Sequence, residues 1–143
     1  MYQNRNNILS VLSLYLADYN NSLYLREISR LAKIPLKTTQ NLMNHLEKEK
    51  IIKSEVSGKN KYFKLNLDNI KTKFYILQSE IHKSLLFIER YDIFETFLKE
   101  VNIDAALIVF GSFARFKIDG ESDLDLLAIS KEKFRLPSHL LPY

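Results

Sequence analysis

Ala105-Ala106-Leu107-Ile108-Val109-Phe110-Gly111-Ser112 is followed by Phe113-Ala114-Arg115 and then by Ser122-Asp123-Leu124-Asp125-Leu126. The apolar run is short and bounded, which marks a buried strand. Gly111 permits a tight turn at its end, and Ser112 is placed to cap a helix that follows. The first N–H groups of a helix are unpaired and carry the positive end of its dipole, so such a turn suits a phosphate. If Leu124 to Ile129 forms a strand, Asp123 and Asp125 project from one face near its start. Two adjacent carboxylates repel unless a cation lies between them, and oxygen ligands beside a phosphate favour Mg²⁺. The competing reading is a plain strand-turn-strand with two solvated aspartates.

This order of residues resembles that of the nucleotidyltransferases of the DNA polymerase beta superfamily, especially their small stand-alone members. There an apolar strand, Gly-Ser and a spacer of about ten residues lead to Asp-x-Asp; here the spacer runs from Phe113 to Ser122. Arg115 is a companion feature. Many members carry Gly after that Arg, where this chain has Phe116. The resemblance implies that Gly111, Ser112 and Arg115 meet a nucleoside triphosphate. It implies Asp123 and Asp125 as the catalytic carboxylates that hold Mg²⁺, and a third carboxylate on a later strand. After the Asp-x-Asp strand the sole acid is Glu132, too near in sequence for that role, and Pro137 and Pro142 disfavour another full strand. The domain is therefore expected to be partial. The chain is then a fragment, a natural remnant, or dependent on a partner for the missing part, with little or no turnover alone.

A length of 143 residues allows one domain or two small ones, and 46% apolar residues can supply a core. The absence of cysteine excludes disulfides and thiolate metal sites. No long apolar run follows Met1, so neither a signal peptide nor a membrane span is expected, and a cytoplasmic location fits. The net charge of +4 is unevenly placed. Met1 to Asn66 holds eleven basic against five acidic residues, and Leu67 to Tyr143 ten against twelve. A basic front suits a polyanion.

In that front half, Ile8, Leu12, Tyr15, Leu16 and Tyr19 recur at helical spacing, and Asn20-Asn21-Ser22 breaks the pattern. Leu23 to Leu25 reads as a short extended piece. A second helix covers Arg26 to Lys33, with Ile28, Leu31 and Ala32 inward. Ile34-Pro35 turns the chain, because Pro disfavours helix at the residue before it. A third helix, Leu36 to Glu49, buries Leu42, Met43 and Leu46. Two helices on so short a turn form a helix-turn-helix. Ile51 to Val56 and Lys61 to Asn66 then flank the polar turn Ser57-Gly58-Lys59-Asn60, with Phe63, Leu65 and Leu67 alternating, so a hairpin follows.

The stretch resembles the winged helix-turn-helix regulators of the ArsR and MarR type, through Leu25-Arg26-Glu27-Ile28, Thr38-Thr39, Leu42, Leu46-Glu47 and Ile51-Ile52. Lys50 departs from it, since such proteins often carry a left-handed Gly there. A helix in the major groove reads base edges through amides and hydroxyls. Thr38, Gln40, Asn41 and Asn44 are the candidates. Lys37, Lys53, Lys59, Lys61 and Lys64 would meet phosphates of double-stranded DNA. The plainer reading is an ordinary solvated helix face and hairpin.

A fourth helix-forming stretch begins at Asp68 or Asn69 and continues to about Tyr91. Ile70, Phe74, Leu77, Ile81, Leu85, Ile88 and Tyr91 form a heptad-like stripe. It either pairs two copies into a homodimer or packs on its own chain. Asp92, with Glu95 three residues on, reads as a capping box for a last helix that ends at Asn102.

The expected fold class is α+β: a winged helix-turn-helix over 1–67, linking or dimerisation helices over 68–102, and a partial α/β nucleotidyltransferase-like domain over 103–143. Three functions compete. One is a DNA-binding regulator whose rear domain senses a nucleotide or merely keeps its fold. Another is an active Mg²⁺-dependent transferase moving a nucleoside monophosphate to an acceptor hydroxyl; since minimal members of that family often pair with helical proteins, an antitoxin with a helical toxin partner is a variant. The third is an interaction module.

Overall fold

The computed structural model describes residues 2–101, 105–118 and 122–131. The chain divides into two units, Met1–Ser84 and Leu85–Tyr143.

The first unit opens with α1 (Tyr2–Leu12), a 3-10 turn (Ser13–Tyr15), β1 (Leu23–Tyr24), α2 (Leu25–Ala32) and α3 (Leu36–Lys48). Strands β2 (Ile52–Ser57) and β3 (Asn60–Leu65) follow, and then α4 (Ile70–Arg90), whose last turns belong to the second unit. The sheet is antiparallel in the order β1-β3-β2. Ile52 faces Leu65 at the base of the β2–β3 hairpin and Ser57 faces Asn60 at its tip. This is the winged-helix layout. Ile8, Val11, Leu12, Tyr15, Ile28, Leu42, Met43, Leu46, Ile52, Phe63 and Leu65 are buried together, so the helices lie on one face of the sheet.

The first helix stops short of the expected Tyr19, which is exposed. Ser13 donates its hydroxyl to the Ser10 carbonyl at 2.8 Å, a local bond that competes with the helical ladder, and the chain tightens to 3-10. Leu31, expected inward, is exposed, because α2 rests mainly on Ile28.

The turn between α2 and α3 is tied by hydroxyls. Lys33 takes the left-handed conformation, φ 56°, and ends α2. Ser29 donates to the Ile34 carbonyl at 2.7 Å. Thr39, fully buried, donates to the carbonyls of Ile34 and Pro35 at 3.3 and 3.2 Å. After α3, Lys50 is left-handed as well, φ 57°. Its carbonyl accepts from the side-chain amides of Asn66 and Asn69, at 2.8 and 2.9 Å. Those bonds hold a conformation that lysine does not favour. Asn69 also accepts from the Lys71 N–H at 3.0 Å and so caps α4, as one of the two expected starts.

The second unit continues α4 into α5 (Asp92–Glu100), β4 (Ala105–Phe110), the single turn α6 (Gly111–Ala114) and β5 (Asp125–Ser130). Strands β4 and β5 are antiparallel, from Ala105 opposite Ser130 to Phe110 opposite Asp125. Its core is aromatic. Phe87 meets Phe94 edge-on at 4.9 Å, Phe94 stacks on Phe97 at 5.3 Å, and Tyr91 lies 5.4 Å from Phe113. Leu107, Val109, Leu124 and Leu126 pack against this cluster. The opposite face of the strand pair carries Ile108, Phe110, Leu127 and Ile129, all exposed.

The capping box expected at Asp92 does not form. Tyr91 occupies the cap position without a side-chain bond, Asp92 is already helical, and Glu95 pairs with Lys99 at 2.7 Å instead. The expected helix end at Asn102 and the residues Glu132, Pro137 and Pro142 lie outside the described residues.

Candidate functional site

Gly111 ends β4 with φ 69°, a conformation open to glycine and costly for others. The register sets Asp125 directly across from Phe110. The Asp125 carboxylate therefore reaches the glycine. A β-carbon placed on Gly111 would fall onto the carboxylate oxygen, 2.9 Å from Cγ and 3.3 Å from Cβ of Asp125. Glycine is thus required twice here, by its backbone angle and by the side chain resting on it.

The helix that Ser112 was expected to cap is a single turn of four residues, and it begins at Gly111. Phe110 takes the cap position and no side chain caps the turn, so Ser112 sits inside it. The carbonyl of Ser112 accepts from the N–H groups of Arg115 and Lys117, at 3.2 and 3.0 Å. So short a turn offers a ligand individual N–H groups rather than a sizeable dipole. Arg115 follows the turn and is exposed. Phe116, where the resembling family often has Gly, is left-handed at φ 55°. Its ring pays for that strain by stacking on Tyr91 at 6.2 Å beneath the Arg90 guanidinium, which lies 5.8 Å away.

Asp123 is exposed and precedes β5, whereas Asp125 is half-buried as its first residue. Among the described residues no cluster of three or more His, Cys, Asp or Glu is placed to hold a metal. Two carboxylates are still a sufficient protein share for Mg²⁺, which commonly keeps several waters and takes its other oxygens from substrate phosphates.

The other candidate surface lies on the first unit. Helix α3 turns Thr39, Leu42, Met43 and Leu46 inward and leaves Lys37, Gln40, Asn41 and Asn44 exposed, with Thr38 half-buried. Lys59 is exposed in the hairpin turn. The remaining lysines are placed differently. Lys61 donates to Glu47 of α3 at 2.8 Å and lies 5.2 Å over the Phe63 ring. Lys53 stands opposite Lys64 in the β2–β3 register, on the sheet face turned away from the helices. That face also carries Tyr24 and Tyr62, whose rings meet edge-on at 6.1 Å. Lys64 pairs there with Glu55 at 2.6 Å. The structure thus groups the α3 residues and separates Lys53 and Lys64 from them.

Sequence reasoning named Glu47 only within the winged-helix resemblance and missed what its side chain does. It accepts from Ser54 as well as from Lys61 and so clamps α3 to both wing strands. These hydrogen bonds, that from Lys61 first and that from Ser54 second, hold its carboxyl below the usual carboxylate range. The only sign of this in the sequence was an acid near the helix end, ahead of a lysine-rich hairpin.

Residues 91–139 match the family described as the nucleotidyltransferase domain. No curated protein matches the chain. Among solved structures, AF1382 from Archaeoglobus fulgidus aligns with a TM-score of 0.47 and 18% identity, over 56% of this chain and 88% of that one. MepR, a transcription regulator of the Staphylococcus aureus multidrug efflux pump MepA, aligns with a TM-score of 0.46 and 20% identity, over 66% of this chain and 75% of that one.

Proposed function

We propose that the chain is a cytoplasmic DNA-binding regulator that carries a nucleotidyltransferase-like unit of little or no activity by itself. The observation that carries the first half is the outward face of α3, where Lys37, Gln40, Asn41 and Asn44 stand free of the core on a helix fixed by Ser29 and Thr39. Amides at such a position pair bidentately with adenine, and lysines there and at Lys59 neutralise phosphates. In the second unit, the turn that begins at Gly111 would offer backbone N–H groups to a triphosphate, with Ser112 and Arg115 as donors beside it. Asp123 and Asp125 would hold Mg²⁺, which when bound supplies charge neutralisation for phosphoryl chemistry.

Gel-shift titration at several salt concentrations tests the DNA reading. Affinity should fall steeply with salt, and Lys59→Glu or Asn41→Ala with Asn44→Ala should weaken binding. Salt-independent binding, or none to any duplex pool, would refute it. The nucleotide reading is tested apart from this. MgATP should raise the melting temperature, and Asp123→Asn with Asp125→Asn should abolish the rise.

A second reading is favoured by the seating of Asp125 on Gly111. In it the unit is an active transferase, with or without a helical toxin partner, and labelled nucleotide would appear covalently on an acceptor.

A further inference from the structure

At 100° per residue, the buried Thr39, Leu42, Met43 and Leu46 of α3 share an arc of about 100°. Leu36, Lys37, Gln40, Asn41, Asn44 and Lys48 share a separate arc of about 140°, and all six are exposed. Leu36 is the odd member. It is the first residue of the helix, stands outside the buried cluster and leaves 44% of its surface in water. It begins a row with Gln40 and Asn44, each four residues after the last. That row is about 12 Å long, the rise of three to four base pairs.

The chemistry of this arc is selective. In the major groove adenine presents an acceptor beside a donor, and a carboxamide answers both. Thymine presents a methyl group, which suits an apolar side chain. Guanine presents two acceptors and is read most often by arginine, which α3 lacks. Cytosine presents a donor that suits an acid. The one acid of α3 is Glu47, and its carboxylate is taken by Ser54 and Lys61 of the wing.

We propose that α3 reads a run of three to four A·T base pairs, and that Leu36 sets the specificity for thymine by covering its 5-methyl group. The proposal rests on the DNA reading above and goes beyond it, naming the base pairs and a residue that recognises one of them. Gln40 and Asn44 carry the row onward by pairing with adenines. Lys37 and Lys48 lie off the row, near the two ends of the helix, and meet phosphates, which carry no sequence.

The test uses the full chain and a pool of random duplexes. Sequencing of the bound fraction should reveal a core of three to four consecutive A·T pairs. Replacing one of them by G·C should weaken binding about tenfold. Writing uracil for thymine in that core removes only methyl groups, and should weaken binding roughly fourfold, the loss of one covered methyl. Leu36→Ser, which leaves the buried cluster intact, should bind the thymine and uracil duplexes alike, with unchanged circular dichroism. Gln40→Ala should keep the thymine preference and relax the choice between adenine and guanine at one position. Lys37→Ala should weaken all duplexes by a similar factor. A core rich in G·C, equal binding of all duplexes, or a Leu36→Ser variant that still prefers thymine would each overturn the proposal and leave the DNA reading standing. Binding to no duplex would overturn both.

Discussion

The carboxylate of Asp125 fills the space that a β-carbon on Gly111 would occupy. Strand register brings the acid to that point, and the glycine makes room for it. The Gly-Ser turn and the second aspartate of Asp-x-Asp are therefore one packed unit.

Gly111→Ala should break that unit. The left-handed backbone alone costs an alanine about 1 kcal/mol, and the Asp125 side chain must also move. The second unit should melt lower, and any stabilisation by MgATP should disappear. A variant that melts and responds like the parent would show that the seating of Asp125 is not needed.

Lys50→Gly should stabilise the first unit by about 1 kcal/mol, because Lys50 adopts φ 57° between α3 and β2. Phe116→Gly should do the reverse despite a similar angle of 55°. Its ring packs against Tyr91 and Phe87, and that loss outweighs the relief, for a net cost of about 1–2 kcal/mol. Chemical denaturation midpoints of the two variants should move in opposite directions.

Glu47 ties stability to pH on the acid side. Its carboxyl is held below the ordinary value by Lys61 and Ser54, so the folded chain favours the charged form. The benefit is complete above the ordinary glutamate pKa and fades as pH falls through the depressed one. The clamp is partly solvated, so it contributes less than about 1 kcal/mol. Glu47→Gln should melt below the parent at neutral pH and alongside it near pH 2. An equal gap at both would mean that the carboxylate charge is not what matters.

Tyr15 should tie it on the alkaline side. Its buried hydroxyl donates to the Phe63 carbonyl at 3.1 Å. Burial first, and the charge of Glu27 second, push its phenol well above the ordinary value of 10.0. The folded state favours the neutral form, so this contribution is full below the ordinary tyrosine pKa and is lost as pH rises beyond it. Tyr15→Phe should cost about 1–3 kcal/mol, since the Phe63 carbonyl loses its partner. In an ultraviolet titration of the folded chain, one tyrosine of the eight should resist ionisation longest.

The features legible in the sequence were those set by periodicity. Leu42, Met43 and Leu46 marked the inner side of α3, and Phe63 with Leu65 marked the inner face of β3. Gly111 and Asp125 were legible because each is chemically unusual in an apolar run. Features that depend on a neighbour's backbone were not. Whether Asp92 or Ser112 caps a helix depends on where the preceding turn closes, and in both cases the aromatic residue before it takes the cap position. Thr39 gave no sign of its burial, because its partners are carbonyls of the turn. The α4 stripe was plain to see, but periodicity fixes an apolar side without saying which way it points. The buried Thr72 hydroxyl settles that, by donating to the Ile51 carbonyl outside the helix.

The pairing of β4 with β5 has a practical consequence. Among the described residues it is a ribbon of two strands, apolar on both faces, with Ile108, Phe110, Leu127 and Ile129 uncovered on one of them. Ribbons of that width are barely self-sustaining, and greasy strand margins invite stacking between molecules. Expressed by itself, 85–143 should precipitate or form inclusion bodies, and Leu127→Lys should be the simplest route to keeping it in solution.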